Sequence, residues 1–379
     1  MQFTLTEEQT LIQDMARQFA DAELLPHSAR WDEEKYLDRE VFRGFAELGF
    51  GAIYIPEQLG GTGLSRLNSV LVFEQLARGD VSHTAMLTIH NMASWMIARF
   101  GSEELRARFS ERLSTCELIA SYCLTEPGSG SDAAALATKA VDDGDSYVLN
   151  GSKAFISGAG WSDVYVVMVR TSDDGSRGVS TLVVENGTPG LAFGANERKM
   201  GWNAQPTAQV IFEDCRVPKA NLIGQVGDGF KYAMAGLDGG RINIAACSLG
   251  GAHKAMEAAL DYTKERKQFG QAISVFQNTQ FKLADMATKL AASQMMTYRA
   301  ADMLDRGEPN AGAACAMAKR YATDACWEVA NDALQLHGGY GYLKDYPVEQ
   351  IVRDLRVHQI LEGTNEIMRM IIGRSLLRQ

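Results

Sequence analysis

The sequence predicts an α+β fold in three consecutive parts: a helical domain over residues 1–120, a central antiparallel β domain over 121–228, and a helical bundle over 229–379. The first observation is chain length, because 379 residues exceed the roughly 100–200 residues of one ordinary domain. The second is a change of pattern. Apolar residues recur at helical spacing in the first and last parts, whereas the middle part is rich in Val, Ile, Phe and Tyr and contains Gly-based turns.

The amino-terminal part opens with an acidic amphipathic pattern, "TEEQTLIQDMARQFADAELL", in which Leu11, Ile12, Met15, Phe19 and Ala22 recur at helical spacing. Two further runs, "LNSVLVFEQLAR" and "MASWMIARFGSEELRARFSERL", continue the same period. Glycines break it in "LGFGAIYIPEQLGGTGLS", which predicts a loop between helices.

Strand-like runs fill the middle part: "SYVLNGSKAFIS", "DVYVVMVR", "VSTLVVE" and "AQVIFEDCRVP". Asp-Asp-Gly and Pro-Gly turns separate runs of this kind, which predicts an antiparallel sheet or a small barrel.

Long Ala-, Leu- and Met-rich helical patterns occupy the last part, which holds only two prolines, Pro309 and Pro347. "ACSLGGAHKAMEAALDYTKERKQFG" is the first of them, and Gly270 is predicted to cap its carboxyl end. Such helices are typical of a bundle, and we expect their Met and aromatic stripes to pack in its core.

Composition excludes several classes of function. The formal net charge of −10 argues against a nucleic-acid-binding face as the main function. The six cysteines contain no C-x-x-C pair and the six histidines show no ligand spacing, so we expect free thiols and no metal. The amino terminus lacks the pattern of a signal or transit peptide, and no apolar run approaches the ~20 residues of a membrane span. We therefore expect a cytoplasmic protein, and the mature form of a mitochondrial matrix protein stays open as the alternative.

A Gly- and Ser-rich segment, "YCLTEPGSGSD", stands at the boundary between the helical and β parts. Thr125, Ser129 and Ser131 offer hydroxyl groups, and Gly128 and Gly130 permit a ligand to approach the backbone closely. The segment is neither a P-loop nor a G-x-G-x-x-G fingerprint. On composition, a ligand loop and an ordinary Gly/Ser loop both remain open.

A single acid, Glu362, stands between an apolar pair and a Gly-Thr-Asn break in "HQILEGTNEI". It is either an exposed residue at a helix end or a base in an apolar cleft. Gly363 allows the chain to turn, and Thr364 or Asn365 is suited to cap the helix that follows. Desolvation in a cleft would raise the pKa of a glutamate from its usual ~4.3 and make it a stronger base.

Five motifs in order resemble the acyl-CoA dehydrogenase family over essentially the whole chain: "YCLTEPGSGSD", "NGSKAFISGAG", "RKQFG", "LQLHGGYGY" and "LEGTNEIMR". The resemblance implies FAD as cofactor, an acyl-CoA as substrate, and an α domain, a β domain and a carboxyl-terminal four-helix bundle. It also implies a homo-oligomer, at least a dimer and in this family a tetramer, because some cofactor contacts come from a neighbouring subunit.

The resemblance assigns cofactor contacts to three groups of residues. Arg266 would reach the flavin pyrophosphate across a subunit boundary, which suits a permanently charged bidentate donor. We assign no proton chemistry to His337. The contacts to the flavin ring are Tyr122, Cys123, Leu124, Thr125, Gly130, Ser131, Phe155, Ile156, Ser157, Thr364, Asn365 and Glu366. Those on the adenine and ribityl side are Phe276 and Gln277, and those to the adenosine part are Gln335, Leu336, His337, Gly338 and Gly339.

The resemblance also assigns the substrate contacts and the base. Glu362 matches the catalytic base, and the position that serves as base in one subgroup of the family is Gly240 here. Arg241 would meet the CoA nucleotide phosphates, with Arg374 as a second candidate, although a structural Asp238–Arg241 pair is equally compatible with their spacing. The full set of substrate residues implied is Ser131, Asp238, Gly239, Gly240, Arg241, Gly363 and Arg374.

The activity implied is α,β-dehydrogenation of an acyl-CoA thioester, with electrons passed to an electron-transfer flavoprotein. Glu362 would remove the α-proton, and hydrogen bonds from its own backbone N–H and a flavin hydroxyl would stabilise the enolate. Motifs such as "LDGGRINIAACSLGGAH" favour an isobutyryl group, and straight short-chain and 2-methylbutyryl groups stay open. An oxidase and a DNA-binding relative of the same fold are more distant alternatives.

Overall fold

Helices lie before and after a single large β sheet in the computed structural model, which describes residues 4–378. Six helices precede the sheet: α1 Glu7–Phe19, α2 Ser28–Glu34, α3 Arg39–Glu47, α4 Arg66–Gly79, α5 Val81–Phe100 and α6 Glu103–Ser114. Five follow it: α7 Gly229–Glu265, α8 Gln277–Asp305, α9 Ala311–His337, α10 Val348–Arg356 and α11 Asn365–Leu377.

The sheet contains eight strands, and all four strands predicted from the sequence are confirmed. They are β1 Ala120–Cys123, β2 Lys139–Asp143, β3 Ser146–Ser157, β4 Val164–Arg170, β5 Val179–Glu185, β6 Leu191–Phe193, β7 Thr207–Pro218 and β8 Leu222–Ile223. The order is β6-β7-β3-β2-β4-β5-β8, with β1 beside β4. Pairing is antiparallel except between β1 and β4 and between β2 and β4, which run parallel.

The sequence of strand β4, in the middle of the sheet, is one continuous apolar run because both faces of the strand are buried. Its alternate residues enter two different cores, Val164 and Val166 on one face and Tyr165 and Val167 on the other. The first core is shared with α5, α6 and α7, and the second lies between the strands. A strand buried on both faces needs apolar residues at every position, so the period-2 signal disappears.

The carboxyl-terminal helices pack against each other and against α4 of the amino-terminal part. The prediction that Gly270 caps α7 is wrong, because α7 ends at Glu265 and a short hairpin follows, formed by β9 Lys267–Gln268 and β10 Gln271–Ala272. Phe269 and Gly270 occupy its turn with φ of 54° and 81°. Two consecutive positive φ values are what a two-residue hairpin turn with the right-handed twist requires.

Helix α1 begins where the sequence indicates, with Thr6 and Gln9 forming a reciprocal capping box. Its apolar pattern, however, is only partly buried. Ala16 is enclosed, whereas Leu11 is 70% exposed and Ala22 also faces solvent. Among the long helices α1 packs mainly against α4, so only one side of it is well covered.

No helix within residues 4–378 is both long enough and apolar enough to span a membrane.

A buried ion pair anchors the segment that follows β1. The Lys153 ammonium on β3 donates to the Glu126 carboxylate at 2.7 Å and to the Leu124 carbonyl at 3.2 Å. Glu126 also accepts from the backbone N–H groups of Ala137 and Thr138. Burial alone would raise the pKa of Glu126, but Lys153 and these donors outweigh it and hold the pKa below its usual value. The pair therefore closes residues 126–137 into one loop.

We predict that Lys153→Met lowers the free energy of unfolding by about 3–5 kcal/mol, because Glu126 would be left buried without its counter-charge. Urea unfolding of the purified protein measures this. Lys219→Met is the matched control, since Lys219 pairs with Asp142 at the surface of the same sheet. Equal losses in the two variants would contradict the prediction.

Candidate active site

Glu362 lies at a sharp corner of the chain immediately before α11. Its φ is 54° and that of Gly363 is 91°, so two consecutive residues adopt left-handed backbone conformations. This is uncommon for a residue with a side chain. Thr364 then caps α11, its hydroxyl accepting from the Ile367 N–H. The corner turns the Glu362 side chain inward instead of along the surface of the helix.

The Glu362 carboxyl points into the protein and lies against α7. Its Oε2 is buried and has no hydrogen-bond partner among residues 4–378. A Cβ placed on Gly240 would come within 2.5 Å of that oxygen, so the glycine provides the space that the carboxyl occupies. The two positions that the family resemblance offers for a base thus share one space, and only Glu362 carries a carboxyl.

Two buried cations flank this carboxyl. The Lys319 ammonium on α9 donates to the Gly363 carbonyl at 2.9 Å and to Asn365 Oδ1 at 3.0 Å, and its side chain has no exposed surface. Burial raises the pKa of Glu362 to about 7, although Lys319 and Arg241 both act to lower it. Burial likewise lowers the pKa of Lys319 to about 8. Glu362 is therefore poised to accept a proton near neutral pH.

Arg241 is buried and paired with Asp238. It is only 5% exposed, and its guanidinium donates to the Asp238 carboxylate at 2.5 Å, one turn earlier on α7. The structural Asp238–Arg241 pair that the spacing allowed is therefore present, and the phosphate role of Arg241 stays a prediction. The Arg241 guanidinium also acts to lower the pKa of Glu362. Arg374, the second candidate, is exposed on α11.

The segment predicted to line the flavin ring runs from β1 into the loop closed by Glu126. The Tyr122 hydroxyl lies 3.4 Å from the Ala233 carbonyl on α7. Burial raises the pKa of Tyr122, and the charge of Glu362 raises it further. Cys123 and Leu124 are buried, whereas Gly130 and Ser131 are exposed. Thr125 is half-buried in this loop.

Phe155 stands out on the neighbouring strand β3. Its ring is 67% exposed and its φ is 58°, at a register shift between β3 and β7. Ile156 is buried beneath it and Ser157 is half-buried. The Thr125 carbonyl accepts from the Ala154 N–H at 2.8 Å, which brings the Thr125 segment next to this exposed ring. An exposed aromatic ring beside a hydroxyl-bearing segment fits a flat ligand that is apolar on its faces and polar at its edge, so these residues suit an isoalloxazine.

Thr364, Asn365 and Glu366, predicted to contact the flavin, lie in three different environments. Thr364 caps α11, and Glu366 is exposed. The buried Asn365 side chain accepts from Lys319 and donates to Thr323 and Asp324, at 2.9 and 2.7 Å. With its amide committed to these groups, Asn365 holds the corner and has little capacity left for a cofactor.

The residues predicted to meet the adenosine side form a second group, at the end of α7, the start of α8 and the end of α9. The Arg266 guanidinium carbon lies 5.4 Å from the ring centre of Tyr340. His337 is buried, with Nδ1 at 2.8 Å from the Ala333 carbonyl and its ring stacked on Tyr262, which fits the absence of a proton role. Phe276 and Leu336 are half-buried, and the exposed members are Arg266, Gln277, Gln335, Gly338 and Gly339.

Sequence reasoning missed Lys319. The signal was a lysine inside the Ala-rich run "GAACAMAKRYATDAC", next to Ala318 and one turn from Cys315 and Ala322, all of them buried. A lysine on the apolar face of a predicted core helix is rarely left without a partner. The sequence could not identify that partner, because Gly363 lies 44 residues away.

We predict that the Glu362 carboxyl titrates with a midpoint of about 7 and that Lys319→Met moves this midpoint to higher pH. The sign follows from the loss of one of two cations that favour the carboxylate. Infrared difference titration measures the carboxyl band, and Glu362→Gln assigns it. Lys289→Met removes a lysine that pairs with Glu328 nearer the surface and should leave the midpoint unchanged. A midpoint that stays or falls in Lys319→Met would refute the electrostatic role.

Comparison with known proteins places the whole chain in one family. Three family models match: the acyl-CoA dehydrogenase N-terminal domain at residues 6–117, the middle domain at 121–215 and the C-terminal domain at 227–377. The mitochondrial isobutyryl-CoA dehydrogenase of Dictyostelium discoideum is 58% identical over 98% of this chain and 90% of its own length. That of Bos taurus is 57% identical over 99% of this chain and 90% of its own.

Solved structures agree with the sequence relatives. Butyryl-CoA dehydrogenase from Megasphaera elsdenii has a TM-score of 0.97 and 38% identity, with 100% of both chains covered. A chain in the structure of the electron transferring flavoprotein of Acidaminococcus fermentans has a TM-score of 0.98 and 44% identity, again over 100% of both chains. The FAD complex of PigA has a TM-score of 0.96 and 32% identity over the same full coverage. The chain therefore belongs to the acyl-CoA dehydrogenase family of FAD-dependent oxidoreductases.

Proposed function

We propose that this enzyme removes hydrogen from the α and β carbons of a short branched acyl-CoA, with isobutyryl-CoA as the favoured substrate and Glu362 as the base. One observation carries the assignment of the base. A carboxyl oxygen is buried without a hydrogen-bond partner, and burial raises the pKa of its group to about 7. A group matched in this way to neutral pH is what proton abstraction from a carbon acid requires.

In this proposal Glu362 accepts the α-proton of the thioester. The backbone N–H of Glu362 donates to no backbone carbonyl within residues 4–378, so it is available to donate to the thioester oxygen as negative charge develops there. Lys319 keeps the corner in place through the Gly363 carbonyl and Asn365. FAD, when bound, accepts the hydride that leaves the β-carbon.

The cofactor would be held by two groups of residues. Around the ring these are Thr125 and Ser131 as hydroxyl donors, Phe155 against the ring face, and the neighbouring Tyr122, Cys123, Leu124, Gly130, Ile156 and Ser157. The second group consists of Arg266, Phe276, Gln277 and the Gln335–Gly339 loop. It would contact the pyrophosphate and adenosine of the FAD bound by a neighbouring subunit. The exposed aromatic side chains beside that group, Phe269 at 94% and Tyr342 at 85%, support a subunit boundary there, and we propose a homotetramer.

Substrate and partner follow from the relatives. Two proteins at 57–58% identity are named isobutyryl-CoA dehydrogenase, which favours that substrate over the straight short-chain and 2-methylbutyryl thioesters. The likeness to a chain from an electron transferring flavoprotein structure supports such a flavoprotein as the electron acceptor. An oxidase or a DNA-binding role receives no support from any comparison described above.

We predict that Glu362→Gln retains FAD and loses turnover by roughly 10²–10⁴-fold, the usual contribution of a general base. Anaerobic titration with isobutyryl-CoA, following flavin absorbance, measures this beside butyryl- and 2-methylbutyryl-CoA. Glu104→Gln, at an exposed position of α6, is the control and should bleach like the unmodified enzyme. Full bleaching in Glu362→Gln would remove the residue from the mechanism.

We predict further that kcat/KM falls as pH drops through about 7, because Glu362 must be deprotonated to act and kcat/KM reports the free enzyme. Steady-state rates with isobutyryl-CoA and an artificial electron acceptor between pH 5 and 9, roughly two units either side of that midpoint, define the acid limb. A limb near the ordinary glutamate value of ~4.3 would show that burial does not control the base.

A further inference from the structure

Three glycines of α7 share one face of the helix, and each lies against a large side chain of another element. A Cβ on Gly236 would contact the Met96 sulfur at 3.3 Å, one on Gly239 would lie 2.5 Å from the Arg66 guanidinium, and one on Gly240 would meet Glu362. The guanidinium and the Glu362 carboxyl therefore rest on adjacent residues of α7. Since successive Cα atoms are about 3.8 Å apart, the two groups lie on the order of 10 Å from each other or closer.

Arg66 is a buried cation with aromatic neighbours in place of an anion. It begins α4, where Asp305 accepts from its backbone N–H at 2.7 Å, and its side chain is only 9% exposed. Its guanidinium carbon lies 3.4 Å from the ring centre of Tyr54 and 5.1 Å from that of Trp95. No carboxylate within residues 4–378 lies in salt-bridge range of the guanidinium. Contact with ring faces compensates part of the cost of burying this charge.

Tyr54 links this cluster to the candidate base. Its side chain is buried, and burial raises its pKa, an effect that the charge of Arg66 opposes and that of Glu362 reinforces. Asn243, one turn beyond Gly240 on α7, donates to the Tyr54 hydroxyl at 3.4 Å, and Asn243 Oδ1 has no partner among the described residues. Tyr54, Arg66 and Trp95 are therefore close to the carboxyl on the side of the amino-terminal helices.

We infer that Tyr54, Arg66 and Trp95, the "Arg66 cluster", form the closed end of the acyl pocket and restrict the enzyme to short acyl chains. This inference rests on the proposed function, because it requires that the acyl group lie against Glu362. A short branched group ends before it reaches the guanidinium. A longer chain would press methylene groups against the cation and strip the remaining solvent from it, which is costly for a charge without a paired anion.

Two variants of Arg66 separate size from charge. Arg66→Ala opens space beyond the acyl group, and Arg66→Met keeps most of the length while removing the charge. The kcat/KM values for isobutyryl-, butyryl-, hexanoyl- and octanoyl-CoA are measured for each variant and for the unmodified enzyme. Arg43→Ala removes an exposed arginine of α3 and is the control, which should keep the original preference.

We expect the ratio of hexanoyl-CoA to isobutyryl-CoA reactivity to rise 10–200-fold or more in Arg66→Ala, since each methylene accommodated is worth roughly that factor. Arg66→Met should raise it by a smaller factor, and this variant tests the inference by itself if Arg66→Ala does not fold. Unchanged ratios in folded variants, with the unmodified enzyme active, would overturn the inference and leave the proposed function intact. Failure of the unmodified enzyme to react with any thioester would overturn both.

Discussion

Burial of one carboxyl group governs the arrangement of this protein around its candidate active site. The Glu362 oxygen that lies against Gly240 has no hydrogen-bond partner among the described residues, so nothing but nearby charge compensates for its loss of water. That charge comes from Lys319 on α9 and Arg241 on α7, two long helices that the bundle brings side by side. These charges offset only part of the effect of burial, so the pKa of Glu362 is about 7 instead of the ordinary value for a glutamate.

A buried carboxyl keeps its position only if the backbone that carries it cannot move. A buried hydrogen-bond network in the segment before Glu362 prevents such movement. Trp202 donates its indole N–H to His358 Nε2 at 3.2 Å and its backbone N–H to Asp354 at 2.6 Å. Because Nε2 accepts, a neutral His358 carries its proton on Nδ1, where it donates to Ser248 at 2.7 Å. Burial lowers the pKa of His358 to about 3, so it remains neutral across the physiological range.

This network ties the loop before β7, helix α7 and the segment leading to Glu362 into one unit. Trp202 has a φ of 53°, which is uncommon for a residue with a side chain and is held here by both of its hydrogen bonds. The Lys153–Glu126 pair performs a similar task for the loop after β1. Polar groups buried in the interior therefore fix two segments, the loop after β1 and the stretch leading to Glu362, that the proposed function uses.

The sequence by itself determined the features that depend on neighbours along the chain: the order of helical and β parts, the four strands such as Ser146–Ser157, and a helix cap at Thr364 or Asn365, of which the structure uses Thr364. These follow from periods of two and 3.6 residues and from turn chemistry, all of which act within a few positions. Motif resemblance added the prediction that Glu362 is the base. Tertiary structure alone decided that Arg241 lies inside beside Asp238, that Lys319 binds the corner, and that Phe269 and Gly270 form a hairpin. Burial and charge pairing join residues far apart in the chain, and no local pattern carries that information.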